Sequence, residues 1–451
     1  MAHSSKTRRL RPAARSLLES LRNFLTPALW KQAQAARPGR VSPRWTTQPL
    51  VLTLLVLTWS CGDSQEERFE TARAFVAVCL PKRRRPGKTV RGFDKALARL
   101  PLPALRAVAA GVRRCLAQVF ARCWLVEGFV PLGCDGTRLA CPRTAELDQR
   151  LGQAGKPQSA PMVWLTALVH LRLGVPWAWR WGKGTASERG HLLQLLPVLP
   201  AAALVVADAG YVGYEVTRTL VEHSVCFLIR MSSQATLYTA RAVRLDRFRE
   251  GEVYYGPGAK QKGAANKPLL RLRLIRVRGK KKGNDVWLLT NVRQPQRLSA
   301  ATAAQLYRWR WESEGLFRTY KRTLAKVKLH SRTVRLVHRE AEGSLLATQL
   351  LLAQGALAMP RAGAARAAVA CSPRKVLLAI REELQVKRWQ RGHRFGQRLR
   401  EAQREQRARR SAKVKRPWPQ RKEHKPPKPP LILTLTDKQK ARISQQETEA
   451  A

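Results

Sequence analysis

Three carboxylates stand where a carboxylate is expensive to keep. Asp135 lies in GCDGT and Asp208 in VVADAGY, each at the end of an apolar run that reads as a strand. Glu314 lies within a predicted helix. A charge beside buried strands needs compensation, and a hard divalent cation held by oxygen ligands is one common answer. Gly136 and Gly210 follow the aspartates closely and let the backbone turn sharply, leaving each carboxylate accessible. Either aspartate by itself reads as a loop residue capping the next element. Two of them at strand ends in this strand order shift the balance toward chemistry.

The predicted helix starts after Ser299, an N-cap, and runs through YRWRWESEGLFRTYKR. In it Tyr307, Arg310, Glu314 and Lys321 are spaced Tyr-x2-Arg-x3-Glu-x6-Lys. On a straight helix these four fall within an arc of roughly 60°, one polar stripe that must face water, a partner or a cleft. Glu312 points roughly 160° away from Glu314, so only Glu314 shares the stripe. A solvated face with Arg310 paired to Glu314 is the plainer reading of these residues. Four fixed identities at fixed spacing, together with the two aspartates, make it the weaker one.

The elements that must position these residues follow from periodicity. Residues up to Phe129 read as helical, with Ser64 and Glu67 forming a capping box ahead of a helix. The basic loop KRRRPGKTVRG separates two such stretches. From Val130 the texture changes to three strands, a helix (SERGHLLQLLPVL), a strand, a helix and a strand, which predicts an α/β sheet. Residues 234–283 read as a β-rich insertion, and VWLLTNV is one more strand. Helical patterning weakens beyond Ala353, and the Lys-, Arg- and Pro-rich run between Arg404 and Lys428 reads as a tail that is disordered or folds on binding.

Global features narrow the class. The chain of 451 residues has 85 Lys and Arg against 30 Asp and Glu, a formal net charge of +55, which calls for a polyanionic partner, nucleic acid first. A purely electrostatic binder has no reason to place carboxylates at two strand ends and on one helix stripe. None of the eight cysteines has CxxC or zinc-site spacing, and they read as reduced thiols of a cytoplasmic protein. No apolar run is long enough to span a bilayer, so no membrane partner is expected.

With these residues in place, 130–350 resembles the insertion-sequence transposases of the DDE class that carry a Tyr-Arg-Glu-Lys signature on their catalytic helix. The resemblance implies an RNase H-like mixed sheet flanked by helices and a catalytic, metal-holding triad of Asp135, Asp208 and Glu314. It implies two Mg²⁺ (or Mn²⁺) ions per active site, about 4 Å apart, bridged by Asp135 with one each at Asp208 and Glu314. The implied activity is endonucleolytic strand cleavage that frees a 3′-OH at the element's end, then transfer of that end into target DNA. Tyr307, Arg310 and Lys321 would grip phosphates near the cut, the arginine as a fork and the lysine as a point charge. Trp287 in VWLLTNV either stacks on a flipped base, as in hairpin-forming members, or is an ordinary core tryptophan. The implied partners are double-stranded DNA, as terminal inverted repeats and target, and a second copy of the chain in a synaptic homodimer. The implied organisation is an end-binding helical domain (1–129), the catalytic domain (130–350) and a C-terminal helical segment with basic tail (351–451), in a nucleoid-associated bacterial protein. A domesticated or inactive DNA-binding relative and another RNase H-like nuclease are the alternatives.

Overall fold

The computed structural model describes residues 16–39, 42–153, 158–258, 267–279, 284–358, 371–385, 395–403 and 428–450. In chain order the elements are α1 (Leu17–Leu21), α2 (Pro27–Ala35), α3 (Thr47–Trp59), α4 (Gln65–Cys79), α5 (Val90–Arg99) and α6 (Leu102–Val119). Then come β1 (Val130–Ala140), α7 (Ala145–Leu151), β2 (Met162–His170), β3 (Val175–Lys183), α8 (Glu188–Leu195), β4 (Ala203–Ala207), α9 (Tyr214–Glu222) and β5 (Cys226–Arg230). The insertion supplies β6 (Thr236–Thr239), β7 (Glu250–Tyr255) and β8 (Leu270–Val277), followed by β9 (Val286–Thr290). Last are α10 (Ala300–Trp309), α11 (Trp311–Arg318), α12 (Val334–Ala358), α13 (Pro373–Gln385), α14 (Phe395–Glu401), β10 (Leu431–Thr434) and α15 (Asp437–Ala450). They fall into two compact units, one drawn from 1–121, 141–147 and 318–405, the other from 122–140, 148–317 and 406–451.

The helical unit is built around α12, whose residues are buried nearly all round because α3, α5, α6, α13 and α14 pack on it. The apolar run at 50–59 is the buried helix α3, and its Trp59 donates Nε1–H to the Ala347 carbonyl of α12 at 3.1 Å. No described helix is long and apolar enough to cross a membrane. Half of the predicted capping box forms: Ser64 Oγ accepts from Glu67 N at 3.1 Å, but Glu67 Oε2 takes the N–H of Asp63, one residue before the N-cap, at 2.8 Å. Glu340 on α12 is buried and accepts from Lys326 Nζ (2.8 Å) and from the backbone N–H groups of His330 (3.0 Å) and Ser331 (2.9 Å). It ties the turn after residue 323 to the central helix.

The other unit is organised on a ten-stranded sheet of order β10-β6-β7-β8-β9-β5-β4-β1-β2-β3. β1, β2 and β3 form an antiparallel meander, and β4 and β5 run parallel to β1. This β3-β2-β1-β4-β5 order is the RNase H-like mixed sheet expected from the sequence. β4 is buried along its whole length (ALVVA), as a strand covered on both faces must be. α8 and α9 pack against the sheet. α10 contributes Ala303, Leu306, Tyr307 and Trp309 to a core shared with Leu204, Val206 and Leu228.

The insertion does not stand apart. β8 pairs with β9 and β9 with β5, so its strands extend the same sheet. Within the stretch read as a basic tail, 404–427 lies outside the described residues. Residues 428–450 instead form β10, parallel to β6, and α15, whose Arg442 donates to the Lys267 carbonyl at 2.8 Å. The short LILT run carries too little local pattern to announce a strand; pairing with a distant edge decides it.

Candidate active site

β1 pairs with β4 only from Val130 to Gly133, although β1 continues to Ala140. β4 ends at Ala207, and the chain turns away at Asp208. Past Gly133, β1 therefore runs on beyond the end of β4 and leaves a notch at the carboxyl end of β4, the place where open α/β sheets bind ligands. Asp135 and Asp208 flank this notch. Asp135 is thus not at the end of its strand, as the sequence suggests, but at the end of the strand's pairing with β4. Asp208 caps the short turn Ala209–Tyr211, its Oδ1 accepting from Gly210 N at 2.8 Å.

Gly136 also differs from expectation. It makes no turn. Its missing side chain leaves room: a Cβ there would stand 2.7 Å from Glu188 Oε1 and 2.9 Å from Trp164 Nε1.

Asp135 Oδ1 accepts the N–H of Gly136 at 2.9 Å, and Oδ2 lies 3.8 Å from Arg310 Nη1. Burial pushes the Asp135 carboxyl above its usual range. The Gly136 N–H and the Arg310 charge oppose that, and Asp208 and Glu314 add to it. The three predicted carboxylates are therefore electrostatic neighbours across more than 170 residues of chain, and Arg310 stands with them. Arg310 is 7% exposed, and its Nε has no hydrogen-bond partner.

The helix that carries Glu314 is not continuous. It breaks at Arg310, whose N–H is shared between the carbonyls of Leu306 and Tyr307, and Ser313 N closes a tight turn on Arg310 O at 3.0 Å. A π-turn follows at Thr319–Thr323. The single straight polar stripe is accordingly corrected. Tyr307 is buried in the core under β4, and Arg310 is turned onto Asp135. Lys321 lies in the π-turn, half-buried, its ammonium pushed below the usual range by burial, within the helical unit. Trp311 is the exposed aromatic of this stretch, at 60%.

Trp287 takes the core role of the two that its sequence leaves open. It is 5% exposed on β9, with Phe248 at 5.6 Å and the Arg276 guanidinium at 5.3 Å from its ring. Trp287→Ala is expected to destabilise the protein by about 3–5 kcal/mol, read as a drop in denaturant midpoint. An unchanged midpoint with altered DNA cleavage would restore the base-stacking role. His191 is likewise structural, its Nδ1 3.0 Å from Thr166 Oγ1.

Sequence reasoning passed over Glu188. It opens α8 after the N-cap Ser187 and lies over Gly136. Burial raises its carboxyl above the usual range, and Asp135 and Asp208 raise it further. The available signal was a glutamate in the first turn of the helix after the third strand.

The donors around the notch are hard carboxylate oxygens, the set that suits Mg²⁺ or Mn²⁺. Among the described residues no three His, Cys, Asp or Glu side chains close on one metal position. Mg²⁺ characteristically takes one or two carboxylates and completes its shell with water and substrate phosphate, so a looser arrangement fits it. The buried Arg310 Nε, which has no hydrogen-bond partner, marks a site whose polar groups are not all satisfied from within.

Residues 134–350 match the family model described as the transposase DDE domain. No curated protein matches the chain. Among solved structures it bears a loose likeness to a piggyBac transposase in a synaptic complex with hairpin DNA, at 12% identity and a TM-score of 0.41. That likeness covers 85% of this chain and 83% of the other.

Proposed function

We propose that the chain is a cut-and-paste DNA transposase that cleaves strands at the ends of its element and transfers them into target DNA. The observation that carries this reading is the notch flanked by Asp135 and Asp208, with Glu314 acting on the same carboxylate. In it Asp135, Asp208 and Glu314 would hold two divalent cations, Mg²⁺ or Mn²⁺. When bound, these supply Lewis-acid activation of a phosphodiester and of the attacking oxygen. Arg310 orients Asp135 and offers its remaining N–H groups to phosphate, and Lys321 adds a point charge for DNA. The net charge of +55 supports double-stranded DNA as partner, in end and target form. Residues 1–129 serve as the end-binding domain and 351–451 as the C-terminal part, and two copies join two ends in the bacterial nucleoid.

The test is cleavage of DNA carrying the element's own ends, with Mg²⁺ or Mn²⁺ and with a chelator, together with cross-linking from the end DNA. Expected are metal-dependent breaks leaving 3′-OH ends, and cross-links within 1–129. Cutting that persists in chelator, or end binding without cutting under either metal, overturns the reading of the site. Cross-links confined to the remainder of the chain overturn the assignment of 1–129.

A further inference from the structure

Successive residues of a strand point to opposite faces of the sheet, and residues paired across strands share a face. In the register of β1, β2 and β3, Asp135 pairs with Ala167 and Ala167 with Trp179. One step along, Thr137 pairs with Leu165 and Leu165 with Trp181, and a further step brings Leu139, Val163 and Lys183 into line. Trp179, Trp181 and Lys183 therefore stand on the sheet face that carries Asp135, two strands away at roughly 10 Å. The other face of β3 is taken by α8: Arg180 Nε donates to Gln194 Oε1 at 2.7 Å, and a Cβ on Gly182 would meet His191 Nε2 at 2.5 Å.

Core packing is the plain reading of a tryptophan on a strand, and it holds for Trp177. That residue is 7% exposed, its Nε1–H is donated to the Val198 carbonyl at 3.0 Å, and its ring lies 5.3 Å from that of Trp124. Trp179 and Trp181 differ. Their partners on β2, Ala167 and Leu165, are fully buried, yet both tryptophans are only half-buried and Lys183 is exposed. Among the described strands β3 is the outermost at this end of the sheet, so the two rings lie at its rim. Alternate residues of a strand stand roughly 6.7 Å apart, twice the rise of about 3.4 Å between stacked nucleotides of a DNA strand. That spacing suits bases drawn apart in an opened strand, and aromatic rings beside a cation are what such bases stack on.

We infer that Trp179 and Trp181, with Lys183 at their end, form a stacking platform for the unpaired bases of a DNA strand lying beside the notch. Its placement along the DNA rests on the reading of the notch as a DNA-cleaving site. The net charge of +55 favours a polyanion over a second copy of the chain as the occupant of this face. Stacking uses the π-face that every base has, so the platform takes strands of any sequence and adds little to the salt dependence that phosphate contacts set.

The experiment is binding of the full chain, by fluorescence anisotropy, to a labelled oligo(dT) and to an abasic strand with the same number of phosphates. Attraction by the chain's many cations is common to both strands, so the ratio of the two affinities reads the bases alone. Native protein is expected to prefer oligo(dT) by about tenfold. Trp179→Leu combined with Trp181→Leu keeps apolar bulk, removes the rings and should bring the ratio to one. Trp179→Phe combined with Trp181→Phe should keep most of the preference. A native ratio of one, or a preference that the leucine pair retains, overturns the platform. If the leucine pair does not fold, native protein irradiated with 5-iodouracil in the oligonucleotide decides: photocross-links at Trp179 or Trp181 support the platform, and cross-links confined to other residues overturn it. Cutting of end DNA is measured on the same native protein. A base preference lost in the leucine pair, from a chain that never cuts, upholds the platform and overturns the reading of the notch.

Discussion

Glutamine in place of Glu314 is expected to slow strand cleavage at element ends by on the order of 10³-fold, about 4 kcal/mol of transition-state stabilisation, while end binding survives. The substitution keeps the shape of the side chain and removes its charge. Ser313 beside it is fully buried, and Leu316 and Phe317 anchor α11, so the helix has no reason to move. What changes is the charge facing Asp135, to which Glu314 is one of the contributing carboxylates. The hold on divalent cations weakens, and with it the activation of the phosphodiester. Glu312→Gln is the matched control, two residues away on the same helix, and should cut as native does. Single-turnover cleavage and an electrophoretic binding assay separate the two effects. Equal cutting by native protein and Glu314→Gln would mean that the third member of the triad is another residue.

The second large effect lies away from the chemistry. Glu340→Ala should lower stability by about 3–5 kcal/mol, because it strands Lys326 and two backbone N–H groups that now end on one buried carboxylate. Burial pushes the Glu340 carboxyl up, but Lys326 and the Ser331 hydrogen bonds outweigh it and hold the group net below the usual glutamate range. A carboxylate depressed in the folded state stabilises fully above its unfolded pKa, about 4.3, and that contribution is lost as pH falls through the folded value below it. Urea midpoints of native and Glu340→Gln protein should therefore stand apart near neutral pH and converge at pH values under about 4. A gap that stays constant over the whole acid range would mean that the charge of Glu340 contributes nothing.

Much of the candidate site was legible before any fold was known. Asp135 and Asp208 stood out because a charge at the edge of an apolar run is a local anomaly, visible in a window of a few residues. Glu314 was chosen over Glu312 by helical angle, and its charge is among those that raise the Asp135 carboxyl. The alternation of apolar runs with turn residues was enough to order the strands and the two later helices between Val130 and Arg230, since each element's period is written in its own residues, but it missed the short helix α7 between the first two strands.

What escaped depended on contacts between distant residues. The helix is interrupted at Arg310, whose guanidinium lies 3.8 Å from Asp135 on β1, a contact between distant residues that straight-helix arithmetic does not contain. Tyr307 and Trp287 carry no mark that separates a DNA contact from a core aromatic; the packing of α10 on β4 and of β9 against Phe248 makes that choice. β10 exists because an edge of the insertion is there to pair with it.

Residue identities and their spacing thus determined by themselves the chemistry on offer: three hard carboxylates, a polyanionic partner and a mixed α/β scaffold to hold them. Only the tertiary structure decided that Asp135 lies inside its strand beside a notch, that Gly136 is a gap rather than a turn, and that Glu188 fills that gap. Periodicity records which face of an element is apolar, whereas the meeting of side chains from opposite faces of a sheet is set by register and crossover, which no local window contains.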